Sequence, residues 1–120
     1  YENVIDRLNI AFDVLRLPFR GETIDPRIVR IAPYKNNEKH KHAHETLYYI
    51  LSGRGRITID DHVLEVSAGD LAFVPRWSLH QTQNLTGGDM IVLAVTDANL
   101  TDIAYVGRQN PRLKGAAERG

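Results

Sequence analysis

The sequence predicts an all-β domain, a small sandwich or barrel of short strands. Between residues 28 and 96, β-rich segments alternate with turns roughly every ten residues, which is typical of such folds. Helical periodicity is largely absent from this region. A chain of 120 residues without an internal repeat or linker is expected to form one domain. Residues 1–27 would then be an N-terminal extension, and residues 97–120 a C-terminal tail.

The individual strands are predicted from β-propensity and from the residues that end them. Pro33 ends the first strand and Pro75 ends the fifth. Residues 60–62 form a hairpin turn, and Gly53 and Gly69 lie in turns that favour a positive φ. The predicted strands are residues 28–32, 46–51, 56–59, 63–66, 71–74, 79–84 and 90–96.

The two ends of the chain are less well specified. Apolar residues in the N-terminal segment have helical spacing: Val4, Leu8, Ala11 or Phe12, and Leu15. Residues 12–17 fit an edge strand equally well, so both interpretations stay open. The tail after Arg108 is rich in small and charged residues, and we expect it to be mobile.

Composition excludes several classes of function. Fifteen basic and fifteen acidic residues give no net charge, so neither a nucleic acid nor an anionic membrane is expected as a partner. No cysteine is present, which excludes thiol catalysis and zinc–thiolate sites. No apolar run approaches the ~20 residues that cross a bilayer, and no signal peptide is visible. We therefore expect a soluble, cytoplasmic protein.

Three of the five histidines fall close together, at positions 40, 42 and 44. Residues two apart on a strand project from the same face, so His40 and His42 can converge on one metal ion. His80 begins a later predicted strand and can supply a third ligand. His62 lies in a polar hairpin turn, where we expect it to be solvated.

The residues around these histidines resemble two motifs of the cupin family. Residues 40–53 read His-x-His, three residues, a position that is usually acidic, six residues, glycine. Residues 69–84 read glycine, five residues, Pro75, one residue, Trp77 at the family's glycine position, two residues, His80, three residues and Asn84. The resemblance implies a double-stranded β-helix, or jelly-roll, barrel with a divalent metal on His40, His42 and His80.

The sequence also departs from the cupin pattern. Thr46 stands where the family usually has a glutamate ligand, and Tyr34 and Trp77 stand where it usually has glycine. A neutral hydroxyl is a poor ligand for iron, zinc or nickel, so the resemblance carries over only three histidines. Three alternatives stay open: the plain three-histidine set, a set that uses His44 or Glu45, and a metal-free site.

The predicted ligands favour transition-metal chemistry. Imidazoles suit iron, nickel, copper or zinc, with manganese as a further candidate, rather than magnesium or calcium. Within the cupins, a three-histidine set is similar to that of the thiol and diketone dioxygenases, which use Fe(II). The first hypothesis is an Fe(II)-dependent dioxygenase or related metalloenzyme acting on a small polar molecule. The alternative is a non-catalytic module that binds or senses a small ligand. A metal-free sugar-nucleotide isomerase or epimerase is a third interpretation, but no acid–base pair for it is identified.

The same parity argument predicts substrate contacts. Tyr48 and Ile50 share the face of the histidines, and Phe73 and Trp77 come from the second motif. We predict that Tyr48, Phe73 and Trp77 bind the substrate or ligand. Arg56 would meet a carboxylate if its face turned inward, and is otherwise solvated.

The predicted strand at residues 46–51 is apolar on both faces from Leu47 to Leu51. A strand with one solvated face should alternate apolar and polar residues. Its second face must therefore be covered by the N-terminal segment, by another sheet or by a second subunit. We expect a homodimer.

Overall fold

A computed structural model describes residues 2–18, 21–103 and 108–109. Within these ranges the chain forms strands, a 3-10 turn at Asp6–Leu8 and one short helix, α1 (Ala98–Ile103), so the predicted all-β class is confirmed. No helix in the described ranges has the length and hydropathy to cross a membrane. The strands are β1 (Glu2–Ile5), β2 (Ile10–Arg16), β3 (Asp25–Ile31), β4 (Lys41–His42), β5 (Thr46–Ser52), β6 (Arg54–Ile59), β7 (His62–Ser67), β8 (Leu71–Val74), β9 (His80–Asn84), β10 (Met90–Thr96) and β11 (Arg108–Gln109).

The strands form two main antiparallel sheets. The large sheet has the order β1-β2-β3-β10-β5-β8, the small sheet has the order β7-β6-β9, and β4 pairs with β11. One buried cluster draws Ile50 and Val92 from the large sheet and Ile57 and Val66 from the small sheet. The sheets therefore face each other over a common core, as in the predicted jelly roll.

The N-terminal segment forms strands β1 and β2, so the alternative helix is wrong, and β2 is not the predicted edge strand because β1 lies outside it. β2 pairs with β3, with Val14 opposite Val29, and β1 extends the sheet beyond β2. Phe12 and Val14 are buried whereas Leu15 is exposed, which is the period of a strand rather than of a helix. Of the predicted mobile tail after Arg108, Gln109 lies in β11, and residues 110–120 lie outside the described residues.

Six described residues have φ values in the left-handed region: Asn9, Tyr34, Gly53, Asp60, Gly69 and Trp77. Gly53 and Gly69 have φ of 91° and 94°, as predicted. Tyr34 and Trp77 have φ of 57° and 62°, so both positions keep a backbone conformation that suits glycine although a bulky side chain is present. Each such residue costs about 1 kcal/mol relative to glycine.

Asn84 ties the end of β9 to two other segments. Its buried side-chain amide donates hydrogen bonds to the backbone oxygens of Ile31, Ala32 and Gly88. Its Oδ1 accepts hydrogen bonds from the backbone and the hydroxyl of Thr86. The asparagine of the second motif therefore holds the loop after β9 against the end of β3.

β5 lies between β10 and β8 in the large sheet. Its inner residues Thr46, Tyr48 and Ile50 are buried, whereas its outer residues are exposed. The neighbouring outer residues of β8 are exposed too, so no described segment covers this apolar surface. We call it the outer face; it comprises Leu47, Tyr49, Leu51, Leu71 and Phe73.

Candidate functional site

His40 and His80 lie side by side, although they belong to segments that are distant in the chain. The backbone N–H of His40 donates to the carbonyl of His80 over 3.1 Å, and the reverse bond measures 2.9 Å. The two imidazole centroids are 4.5 Å apart, with ring planes at 66°. The fold therefore brings together two of the three predicted ligands.

Hydrogen bonds fix the tautomer of both rings. Nδ1 of His40 lies 3.0 Å from the carbonyl oxygen of Glu38, and Nδ1 of His80 lies 2.9 Å from that of Ser78. Because a carbonyl oxygen can only accept, each Nδ1 carries the proton and donates it. Nε2 of a neutral ring then has the lone pair that binds a metal, in the arrangement that metal-ligating histidines commonly show.

Burial keeps His80 in the form that a metal requires. His80 is only 1% exposed, and this burial lowers its pKa below the ordinary range for histidine. The hydrogen bond to Ser78 and the charge of Asp60 raise the pKa by less. The ring is therefore neutral at pH 7, as a metal ligand must be.

The third predicted ligand, His42, has its backbone in β4, opposite Arg108, but its side chain lies outside the described part of the structure. Among the described side chains, no group of three histidines or acids is placed to hold a metal ion. The pair of His40 and His80 is thus the described portion of the candidate centre, and the role of His42 stays a prediction.

A cavity of about 90 Å³ opens beside His40 against the inner face of the large sheet. On β2, β3 and β10 the wall is mostly apolar, with Arg27 and Thr96 as the exceptions, and the loop before β5 contributes polar groups. The ring of Tyr48, which lines the cavity, lies 6.4 Å from that of His80. The lining residues are Phe12, Val14, Arg27, Val29, Ile31, Asn37, Glu38, His40, His44, Thr46, Tyr48, Thr82, Val92, Ala94 and Thr96.

Thr46 places a hydroxyl in the cavity wall where the resemblance leads us to expect a carboxylate. The residue is 2% exposed, and its Oγ1 has no hydrogen-bond partner among the described residues. Most buried polar atoms in proteins are hydrogen-bonded. A ligand or a water molecule in the cavity would satisfy this hydroxyl.

The two other residues considered as ligands differ in position. His44 is buried and lines the cavity. Glu45 is exposed, lies 3.6 Å from Arg76 and is absent from the cavity wall. Arg76 also donates to the carbonyl of Ala43 and pairs with Asp97, whose carboxylate accepts from the backbone N–H of Glu45. These contacts hold the segment after the histidines, and they turn Glu45 outward.

Of the predicted substrate contacts, only Tyr48 lines the cavity. Burial raises its pKa far above the ordinary value, so the phenol stays protonated. The predicted placement of Phe73 is wrong, because β8 turns Ala72 and Val74 inward and Phe73 outward, where it is 51% exposed. Trp77 is 46% exposed and also lies outside the cavity wall.

Sequence reasoning considered Arg56 as a possible partner for a carboxylate and did not consider Arg27. Arg56 pairs with Glu65 on the surface of the small sheet, in agreement with its solvated interpretation. Arg27, which neither motif contains, lines the cavity beside Val29 and Ile31. These three residues share one face of β3, because side chains alternate along a strand. His62 is largely exposed, as expected.

Comparison with known proteins agrees with this arrangement of strands. A family model described as the cupin domain matches residues 27–96. An uncharacterized protein of Methanocaldococcus jannaschii, MJ1618, is 43% identical over 47 residues, which cover 38% of this chain and 38% of that protein. A gentisate 1,2-dioxygenase of a Streptomyces species is 28% identical over 85 residues, 70% of this chain and 24% of the relative.

A solved structure with a similar fold is a salicylate 1,2-dioxygenase from Pseudaminobacter salicylatoxidans. The TM-score is 0.75 at 13% identity, with 82% of this chain and 30% of that chain covered. The chain thus spans well under half the length of each of these relatives. At this identity the structural likeness concerns the fold.

Proposed function

Because the chain belongs to the cupin family, we propose that it is a metal-dependent dioxygenase with Fe(II) on His40, His42 and His80. The observation that carries this proposal is the orientation of His40 and His80. Their rings are in contact, and each donates Nδ1–H to a backbone carbonyl. Metal-ligating histidines commonly donate their second ring N–H to a backbone carbonyl in this way.

The donor set fits a divalent transition metal. Neutral imidazoles are ligands for iron, nickel, copper and zinc, and His42 would complete a set of three. Bound by these residues, a redox-active divalent metal would supply a Lewis acid and a redox centre for reactions of dioxygen. Because both atoms of dioxygen enter the product and the substrate supplies the electrons that reduce them, such a dioxygenase needs no external reductant.

The residues of the cavity would position the substrate. Val14, Val29 and Val92 contribute apolar walls that exclude water from the hydrocarbon part of a small molecule. The protonated phenol of Tyr48 can donate a hydrogen bond, and the hydroxyl of Thr46 can donate or accept one. The cavity is therefore suited to a small molecule with polar groups near the histidines.

The relatives support this class of reaction. The gentisate 1,2-dioxygenase aligns with 70% of the chain, and the salicylate 1,2-dioxygenase has the same fold. Both names denote dioxygen chemistry on a small aromatic acid. We take from them the reaction type, and a substrate of this kind is tested below.

The proposal is tested by metal analysis and oxygen uptake. The chain is purified without a metal-affinity column, loaded anaerobically with Fe(II) and freed of excess metal. We expect near-stoichiometric iron, and oxygen consumption with at least one member of a panel of catechols, 2-hydroxybenzoates, diketones and thiols. His40→Ala and His80→Ala should lose both properties. His62→Ala, which changes an exposed histidine, is the matched control and should keep both.

Two results would count against the proposal in different ways. Protein that takes up no iron, nickel, zinc or copper would remove the metal centre. Protein that holds iron through His40 and His80 but consumes no oxygen with any panel member would instead support the alternative, a module that binds a small ligand without catalysis.

A further inference from the structure

The inner face of the large sheet carries an arginine that the candidate metal centre does not use. Arg27 lies on β3, and its side chain lines the cavity while only 20% exposed. Besides the histidines, the charged side chains in the described cavity wall are Arg27 and Glu38. They lie on different elements, because Glu38 precedes His40 in the loop before β4.

Asp25 holds the Arg27 guanidinium in place along one edge. Nε and Nη2 of Arg27 donate to the same oxygen, Oδ2 of Asp25, at 2.9 and 2.6 Å. A guanidinium has five N–H donors, so this pair uses two of them. The Nη1 donors and the second Nη2 donor have no hydrogen-bond partner among the described residues. The end of the guanidinium therefore keeps two parallel N–H donors, one on Nη1 and one on Nη2. The two oxygens of a carboxylate can accept from such a pair.

The register of the strands gives the distance between Arg27 and Tyr48, a residue close to His80. Arg27 lies opposite Ala94 on β10, and Ala94 lies opposite Tyr48 on β5. Adjacent strands are about 4.8 Å apart, so Arg27 and Tyr48 are roughly 10 Å apart along one row. The small side chain of Ala94 leaves the space between them open. The ring centroid of Tyr48, at the end of this row, lies 6.4 Å from that of His80.

We propose that Arg27 binds the carboxylate of a small organic acid whose other end faces His40, the candidate ligand that lines the cavity. The cavity wall thus contains the Arg27 guanidinium with its unused donors, apolar side chains beside it and the imidazoles of His40 and His44. This proposal assigns carboxylates as the substrate class of the proposed function. Its meaning for catalysis rests on that function. Binding of the carboxylate itself does not depend on oxygen chemistry, and it can be measured separately.

The test compares carboxylates with their uncharged amides. Calorimetry measures the dissociation constants of propionate, benzoate and salicylate, and of propionamide, benzamide and salicylamide, for the full chain before and after metal loading. We expect at least one acid to bind more tightly than its amide by roughly ten- to a hundredfold, since a hydrogen bond to a charged group has that effect. Arg27→Met should abolish this preference and leave the metal content unchanged.

Three further variants separate binding from folding. Arg27→Lys keeps the charge but loses the paired donors, and should retain only part of the preference. The double variant Asp25→Asn/Arg27→Gln removes both charges of the ion pair, so neither is left buried alone. It should fold, and it should lose the preference for acids over amides. Arg56→Met removes an arginine from a comparable ion pair outside the cavity, and should bind acids as the wild type does.

The proposal is overturned if no acid is preferred over its amide, or if Arg27→Met and the double variant keep the preference. Failure of the proposed function has a different signature: the metal or the oxygen uptake is missing, while the acid preference and its dependence on Arg27 remain.

Discussion

Strand β5 has two faces with opposite surroundings. Thr46, Tyr48 and Ile50 point inward and are at most 7% exposed, whereas Leu47, Tyr49 and Leu51 point outward and are 38–45% exposed. The polar atoms of Thr46 and Tyr48 thus lie inside, and an almost entirely apolar row lies outside. This is the reverse of the usual distribution. The inner polar atoms serve the cavity, and the outer apolar row is suited to association with a partner.

The largest expected difference is in how substitutions on the two faces of β5 change the free energy of unfolding. Ile50→Ala removes a fully buried side chain from the core and should lower the free energy of unfolding by about 2–5 kcal/mol. Leu51→Ala, its outer-face neighbour, should cost less than ~1 kcal/mol in dilute protein. Urea unfolding followed by circular dichroism measures both. Equal losses would show that the outer face is also buried in the dilute protein.

The next effect concerns association. We expect the chain to form a homodimer through the outer face, because contiguous apolar patches mark interaction sites. Tyr49 and Leu71 are neighbours across β5 and β8, so Tyr49→Ser/Leu71→Ser should weaken the dimer by roughly tenfold or more. Val63→Ser changes an exposed apolar residue of the small sheet and is the control. Sedimentation velocity that shows wild-type monomer at micromolar concentration would contradict this expectation.

The smallest expected effect is at the inner hydroxyl. Thr46→Val keeps the shape of the side chain and removes a buried oxygen that lacks a partner among the described residues, so it should raise the free energy of unfolding of the ligand-free protein by about 1 kcal/mol. Thr58→Val, at a half-buried position on β6, should have little effect. Thermal unfolding measures both variants. A loss of stability in Thr46→Val alone would indicate that this hydroxyl is already satisfied.

Much of the fold follows from local sequence signals. The predicted strands 71–74 and 90–96 have the observed boundaries, because Pro75 ends the first of them and the turn at residues 86–89 precedes the second. The convergence of His40 and His80 was predictable only through the two spaced motifs. No local property of either segment specifies that they pair.

The parts that sequence reasoning missed depend on which face of a strand turns inward. Phe73 was assigned to the pocket because it belongs to the second motif, but the register of β8 with β5 places it opposite Leu47 on the outer face. Arg27 and Arg30 lie on opposite faces of β3, and each pairs with an aspartate. Nothing in their immediate sequence distinguishes the arginine of the cavity from the one at the surface.

The two backbone hydrogen bonds between His40 and His80 have a consequence for metal exchange. Because the main chain already holds these residues together, an incoming ion does not have to offset the entropy of closing the loop between them. Metal loading is therefore largely uncoupled from folding, unlike in domains that are unfolded without their ion. The supply of each ion and the order of intrinsic affinities would then decide which metal occupies the centre.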